Sequence, residues 1–328
     1  MKPIYKEILL AAVLGLVLPT LVLEVALRLE ETSPTVATVS REESPEVTAG
    51  VGEARDMLLR REDGTVTEMP LEEYLVGVVL AELPASFEAE AKKAQAVVAR
   101  TYTWKARTTG GKHGDGSVCT DPACCQAYRD EETYLEEGGT REGLEAAREA
   151  VLETAGLVLT YEGGLIEATY FSCSGGSTED AVAVWGTDFP YLRATSSPGE
   201  EGAAHYTDTV RFSRADLESA LGIVLEEASG SWVGFTTYTA GGGVNTMRIG
   251  GMDFPGTELR RLLGLRSTAF NIQTDAAGVT VTTRGYGHRV GMSQYGADAM
   301  AAGGSSYGEI LMYYYRGTEL KRLGDLEN

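Results

Sequence analysis

Basic residues are scarce. Lysine and arginine number 28 against 48 aspartates and glutamates, a formal net charge of −20. That balance argues against nonspecific nucleic-acid binding, which needs a basic surface to displace phosphate counterions. No segment repeats, so a solenoid is excluded. Cysteine is also rare, with four in 328 residues. A small-x-small cleavage site is missing after the N-terminal apolar run, which favours an uncleaved anchor over a removed signal peptide.

That run is Ile8 to Leu23, sixteen residues without a charge, and Val25 to Leu27 extend it past Glu24. Its length suits a short transmembrane helix. Lys2 and Lys6 precede it, and Glu24, Glu30 and Glu31 follow. The positive-inside rule then puts the N-terminus in the cytoplasm and the remainder outside. Residues 1–30 are expected to be a cytoplasmic tip and anchor. Residues 31–54, rich in Ser, Thr, Glu, Pro and Val, read as a flexible linker. Residues 55–328 are the expected extracytoplasmic domain, and a hydrophobic content of 43% allows it a sizeable core.

The domain is organised around a corner. Leu71, Leu75, Val78, Val79 and Leu83 recur at helical spacing. Pro84 stops that helix, because the residue before a proline is pushed out of helical geometry. A second, alanine-rich helix is expected from near Ser86, its candidate cap, to about Arg107. Glu82 falls in the corner between them. The negative end of the first helix and the apolar residues Val78 to Leu83 both disfavour its charged form. A carboxylic acid that stays protonated is what a general acid requires. The plain alternative is a solvated glutamate at a helix end.

Hairpins are expected at Met57–Met69 around Asp63-Gly64, at Leu157–Phe171 around Glu162-Gly-Gly, and at Ala269–Thr283. Ser213 with Asp216, and Ser306 with Glu309, have capping-box spacing. Helices are also expected over residues 140–154, 257–263, 297–302 and 307–315. Residues 184–201 read as loop. Hairpins and helices come in separate runs, so the fold class is α+β.

Three of the four cysteines lie between Cys119 and Cys125, with His113 six residues upstream. His113, Cys119, Cys124 and Cys125 form a ligand set that suits tetrahedral zinc in a structural role. A disulfide within the cluster or to Cys173 is the alternative, and Cys173 is also a candidate replacement ligand.

Four separated motifs carry a resemblance over most of the chain after about residue 55. They are Glu82-Leu-Pro-Ala-Ser-Phe with Lys93-Ala-Gln-Ala-Val-Val-Ala-Arg-Thr-Tyr102, the His113 to Gln126 cluster, Tyr170-Phe-Ser-Cys-Ser-Gly-Gly176, and Gly287-His-Arg-Val-Gly-Met-Ser-Gln-Tyr-Gly-Ala297. Together they resemble the stage II sporulation protein D family. The resemblance implies a membrane-anchored lytic transglycosylase with a catalytic cleft, cutting peptidoglycan glycan strands during forespore engulfment. It implies Glu82 as the catalytic acid and zinc at the cluster, where Cys124 stands in place of a histidine seen in some members. Cys173 departs from the small polar residue usual in the family. The implied partners are a cell-wall amidase and a multi-span membrane protein of the engulfment complex. A relative described as an amidase enhancer supplies the rival reading, a non-catalytic peptidoglycan-binding protein.

Lys93, Arg100, Tyr170, Ser174, His288 and Gln294 are the candidate substrate-binding residues. Arg100 alternatively pairs with Glu88 or Glu90, Tyr170 is alternatively core, and His288 alternatively structural. No second acid stands out near the motifs. Glycoside hydrolysis ordinarily uses two carboxylates, whereas attack by the muramoyl 6-hydroxyl needs one. A zinc hydrolase is disfavoured, because four protein ligands leave no open metal position.

Overall fold

The computed structural model describes residues 55–226, 232–275 and 278–326. The expected anchor and linker lie outside these residues, as does the tip of the third hairpin. Among the described residues no helix is long and apolar enough to cross a membrane.

β1 (Asp56–Arg60) and β2 (Val66–Pro70) pair antiparallel with Leu58 opposite Glu68, as the Asp-Gly signal predicts. The Asp63 carboxylate closes the turn by accepting from the Thr65 backbone and hydroxyl. The chain passes directly into α1 (Leu71–Glu82) and then α2 (Ala89–Thr109). β3 (Ser117–Cys119) returns to lie parallel to β1. α3 (Glu131–Glu136) and α4 (Arg141–Glu153) follow, with Thr140 capping α4 through the Gly143 amide.

β4 (Leu157–Tyr161) and β5 (Gly164–Leu165) make a much shorter hairpin than expected. The next strand, β6 (Tyr170–Phe171), leaves it to pair elsewhere, and α5 (Ala181–Trp185) occupies the start of the expected loop. Then come β7 (Thr207–Ser213), α6 (Arg214–Leu221), β8 (Val233–Tyr238), β9 (Val244–Ile249), β10 (Met252–Pro255) and α7 (Gly256–Leu262). β11 (Phe270–Asp275) and β12 (Gly278–Arg284) form the third expected hairpin, with β7 on its far edge. β13 (Met292–Ser293), α8 (Gln294–Ala302), α9 (Tyr307–Tyr314) and β14 (Glu319–Arg322), which pairs with β4, come next, and a 3-10 turn at Leu323–Leu326 follows. The mixture is α+β: small, mostly antiparallel sheets beside helices, with parallel pairing at β1–β3 and β6–β13.

α1 is buried on nearly every side, from Leu71 through Leu80. A helix apolar all round belongs in a core. At Gly77 a β-carbon would sit 2.4 Å from the Tyr128 ring, so the helix reaches its neighbour only through a glycine. The alanines of α2 let it pack closely against α1, α4, β4, α8 and α9. A separate core joins β7, β11, β12, β9, α6 and α7 through Leu217, Val244, Leu259, Val279 and Val281.

Both capping boxes form as their spacing predicts, at Ser213–Asp216 and Ser306–Glu309. The expected cap of α2 does not. Ser86 lies in a turn, α2 begins at Ala89, and no side chain caps it. The Phe87 amide bonds back to the Pro84 carbonyl, and the Lys92 ammonium takes the Ala85 and Phe87 carbonyls. The corner is thus closed from inside α2 rather than by a cap.

Candidate active site and metal cluster

α1 ends at Glu82 because Leu83 turns extended (φ −116°, ψ 140°) ahead of Pro84. The turn leaves the Glu82 side chain facing the rest of the domain. One carboxylate oxygen accepts from the Ala127 amide at 2.8 Å and from the Tyr170 hydroxyl at 3.1 Å. The other accepts from the Gln294 side-chain amide at 3.2 Å. The parallel pairing of β6 with β13 assembles this set. It puts Met292 opposite Tyr170, and α8 starts two residues later at Gln294, with Ser293 as its cap.

Burial is the largest influence on Glu82 and raises its pKa above the ordinary carboxylate value. The bonds from Ala127, Gln294 and Tyr170 oppose that rise without cancelling it. All three donors are neutral. The arrangement holds a carboxyl group that takes up a proton more readily than one in water.

Sequence reasoning missed Gln126. Its side chain is buried, donates to Tyr74 Oη at 3.2 Å and Thr103 Oγ1 at 2.9 Å, and meets the Tyr170 hydroxyl at 3.2 Å. The available signal was its position directly after Cys125, one residue before the amide that reaches Glu82.

His113, Cys119, Cys124 and Cys125 come together as their spacing predicts, with ligand atoms all within 4.8 Å of one another. His113 Nε2 lies 3.8 Å from Cys124 Sγ and 3.5 Å from Cys125 Sγ, and the two sulfurs are 3.9 Å apart. Zinc–sulfur and zinc–nitrogen bonds of about 2.3 and 2.0 Å in a tetrahedron require ligand separations of roughly 3.5–3.8 Å. The separations among His113, Cys124 and Cys125 come close to that, and with Cys119 within 4.8 Å the donor set is one that would suit zinc. Adjacent cysteines converge because both of their backbone amides bond to the Asp121 carbonyl. All four cysteines are free thiols. Cys173 is no part of the cluster: it is buried and donates to Glu200 at 3.1 Å, and burial with that carboxylate pushes its thiol up to about 12. Beside the cluster a cavity of about 290 Å³ opens between Tyr102, Lys105, Lys112, Cys125 and Glu167.

Of the six candidate substrate-binding residues, Tyr170 and Gln294 meet Glu82. Lys93 is held in ion pairs with Glu90 at 2.7 Å and Glu153 at 2.5 Å. Arg100 is fully buried and pairs with Glu72, not with Glu88 or Glu90. Its remaining donors reach the Val151 and Leu157 carbonyls, so it ties α1, α2, α4 and β4 together. Ser174 is also fully buried, and its amide and hydroxyl go to the Glu200 carboxylate. His288 packs between Phe171 and Trp185, with ring centroids 5.5 and 5.2 Å away, and accepts from the Val290 amide. Burial, then the nearby Arg260 charge, lowers its pKa to about 4, so the ring is neutral near pH 7. Lys93, Arg100 and Ser174 have their polar groups engaged by acidic partners and lie apart from the set of donors that meets Glu82.

Residues 60–161 match the family model described as stage II sporulation protein, a stretch that holds Glu82 and the whole histidine–cysteine cluster. Stage II sporulation protein D of Bacillus subtilis (strain 168) is 39% identical over 266 residues, covering 80% of this chain and 77% of the relative. Stage II sporulation protein D of Bacillus amyloliquefaciens is 35% identical over 332 residues, covering 98% and 96%. A protein named amidase enhancer, from Bacillus subtilis (strain 168), is 32% identical over 299 residues, 75% of this chain but 40% of that longer protein. By extent and identity, this chain belongs to the stage II sporulation protein D family.

Proposed function

We propose that the protein is a peptidoglycan lytic transglycosylase that acts in forespore engulfment, with Glu82 as its single acid–base group. One observation carries the reading: Glu82 is a carboxyl group in a largely buried corner, surrounded by neutral donors, with its pKa raised by burial. Protonated Glu82 gives its proton to the glycosidic oxygen between N-acetylmuramic acid and N-acetylglucosamine as the C1–O bond breaks. The carboxylate then takes the proton of the muramoyl 6-hydroxyl as that oxygen bonds to C1. The product is a 1,6-anhydro end, no water is consumed, and Glu82 ends as it began. Acid–base catalysis supplies roughly 10²–10⁴-fold. Dipoles in the cleft supply further stabilisation of the oxocarbenium-like state.

His113, Cys119, Cys124 and Cys125 would hold zinc as a structural ion. Bound there, it would supply folding free energy rather than Lewis-acid chemistry, since four protein ligands fill a tetrahedral site. Residues 8–27 would anchor the chain in the cell membrane with the domain outside, beside a cell-wall amidase and a multi-span membrane protein as partners. The amidase-enhancer relative supports a second reading, in which the corner binds glycan and cuts nothing.

Mass spectrometry of purified glycan strands incubated with the protein separates these readings. Anhydro-muramoyl ends support the transglycosylase. Reducing muramic acid ends would mean hydrolysis and a second carboxylate. Intact strands, together with faster cleavage by an added amidase, would establish the enhancer.

A further inference from the structure

The Tyr170 hydroxyl faces two acceptors, Glu82 Oε1 at 3.1 Å and Gln126 Oε1 at 3.2 Å. It carries one proton and serves one of them at a time. The amide of Gln126 spends its donors on Tyr74 Oη and Thr103 Oγ1, which turns its oxygen toward Tyr170. Tyr170 keeps its proton, because burial and then the Glu82 charge raise its pKa well above the phenol value.

We infer that Gln126 is a positioning residue for Glu82: its amide oxygen holds the Tyr170 hydroxyl while Glu82 is protonated, and gives it up when Glu82 ionises. With Glu82 ionised, the charge-assisted bond to the carboxylate wins, since such bonds are about twice as strong as neutral ones. With Glu82 protonated, its O–H needs an acceptor. The Tyr170 oxygen becomes available once its own hydrogen turns to Gln126. Proton count is conserved; only the hydroxyl rotates. Without Gln126 the Tyr170 hydroxyl would have only the neutral carbonyl oxygen of a protonated Glu82 to donate to, and its own oxygen would be less free to accept the Glu82 O–H, which costs the protonated state free energy. The device serves both halves of the proposed cycle, in which Glu82 is first an acid and then a base, and it rests on that reading. Among the described residues the groups acting on Glu82 are Ala127 N–H, the Gln294 amide and Tyr170, and no charged side chain is among them.

The test is a carbon NMR titration of the full-length protein in detergent micelles, with glutamate labelled at the δ-carboxyl. The Glu82 signal is assigned by its loss in Glu82→Gln. Gln126→Met should lower the Glu82 pKa by roughly half to one pH unit, the size of one net hydrogen bond. Tyr170→Phe should raise it, because a donor to the carboxylate is removed. In the Tyr170→Phe background Gln126→Met should leave it unchanged. An equal shift in both backgrounds would mean that Gln126 acts by packing, and an unchanged pKa in Gln126→Met alone would mean no device; either overturns the proposal. A rise in Gln126→Met would mean a reversed amide that donates to Tyr170, which also overturns it. Should Gln126→Met fail to fold, Gln126→Asn withdraws the oxygen while keeping the amide and is expected to lower the pKa in the same sense. If the shifts appear as expected and the wild type cuts no glycan, the relay stands and the transglycosylase reading falls.

Discussion

Two glutamates drawn partly or wholly out of water answer the same physical problem in opposite ways. Glu179 is 1% exposed and meets the Arg289 guanidinium at 3.0 Å, with further bonds from Thr239 and Gly243. Arg289 spends its other donors on the carbonyls of Ser174, Ser177 and Gly241, so one ion pair clamps three loops. Its backbone sits at φ +67°, a left-handed position a non-glycine residue occupies only when its surroundings hold it there. Among the described residues Glu82 has no cation partner. It meets one backbone amide, one phenol and one side-chain amide, and burial shifts it toward the protonated form. The first carboxylate is neutralised by a charge and sealed into the scaffold. The second is surrounded only by dipoles, so its proton is the variable. What separates the scaffold acid from the proposed catalytic one is first the charge of its partner.

The sharpest way to break that comparison is Glu82→Gln. Glutamine keeps the volume and the hydrogen-bonding reach but transfers no proton. Glycan cleavage should fall by at least the roughly 10²–10⁴-fold of acid–base catalysis, with the circular dichroism spectrum unchanged. Retained cleavage in the glutamine variant would remove Glu82 from the chemistry.

At the other centre, Arg289→Met strands a buried carboxylate. The expected loss is about 3–5 kcal/mol of stability, read by denaturant unfolding. Adding Glu179→Leu should recover part of it, because removing both partners leaves no orphan charge. A single variant as stable as wild type would show that this pair is not the clamp described.

A third intervention tests the loop that carries both the proposed metal and Gln126. Cys119→Ser should lower zinc content by elemental analysis and lower the Tm, because metal binding free energy is folding free energy. A chelator should depress the Tm of the wild type more than that of the variant. Freshly purified, reduced wild type with no metal would refute the assignment.

Local signals were the legible ones. Asp63-Gly64 marked a hairpin, Ser213 and Ser306 marked caps, Pro84 marked the corner, and the cysteine spacing marked a cluster, all within a few residues of one another. What was not legible lies where partners are far apart in sequence. Arg100 finds Glu72 across 28 residues, Ser174 finds Glu200 across 26, and Lys93 finds Glu153 in another helix. Those side chains sit in family motifs, and nothing local in the sequence points to the distant acids they meet. The expected hairpin at 157–171 failed for a related reason. Its second half pairs with β13, more than a hundred residues downstream, and that pairing brings Tyr170 to Gln294. The corner was readable, but the shell of neutral donors around it was not.

The smallest expected effect is on stability, again in Glu82→Gln, and it depends on pH. The folded pKa of Glu82 is raised above its unfolded value of about 4.3. Below the unfolded value the carboxyl is protonated in both states, and its contribution to stability is fully present. As pH rises the unfolded chain ionises first, and the contribution is lost until pH passes the folded pKa. Glutamine does not titrate, so the variant loses nothing over that window. The Tm difference, variant minus wild type, should therefore climb from about pH 4 upward and level off once Glu82 is ionised in the folded state. A constant offset from repacking against the Gln294 amide does not affect the test, because only the slope reports the titration. A slope of the opposite sign would mean that the hydrogen bonds from Ala127, Tyr170 and Gln294 outweigh burial. Glu82 would then be held as a carboxylate, like the acids of the scaffold, and its distinction from Glu179 would disappear.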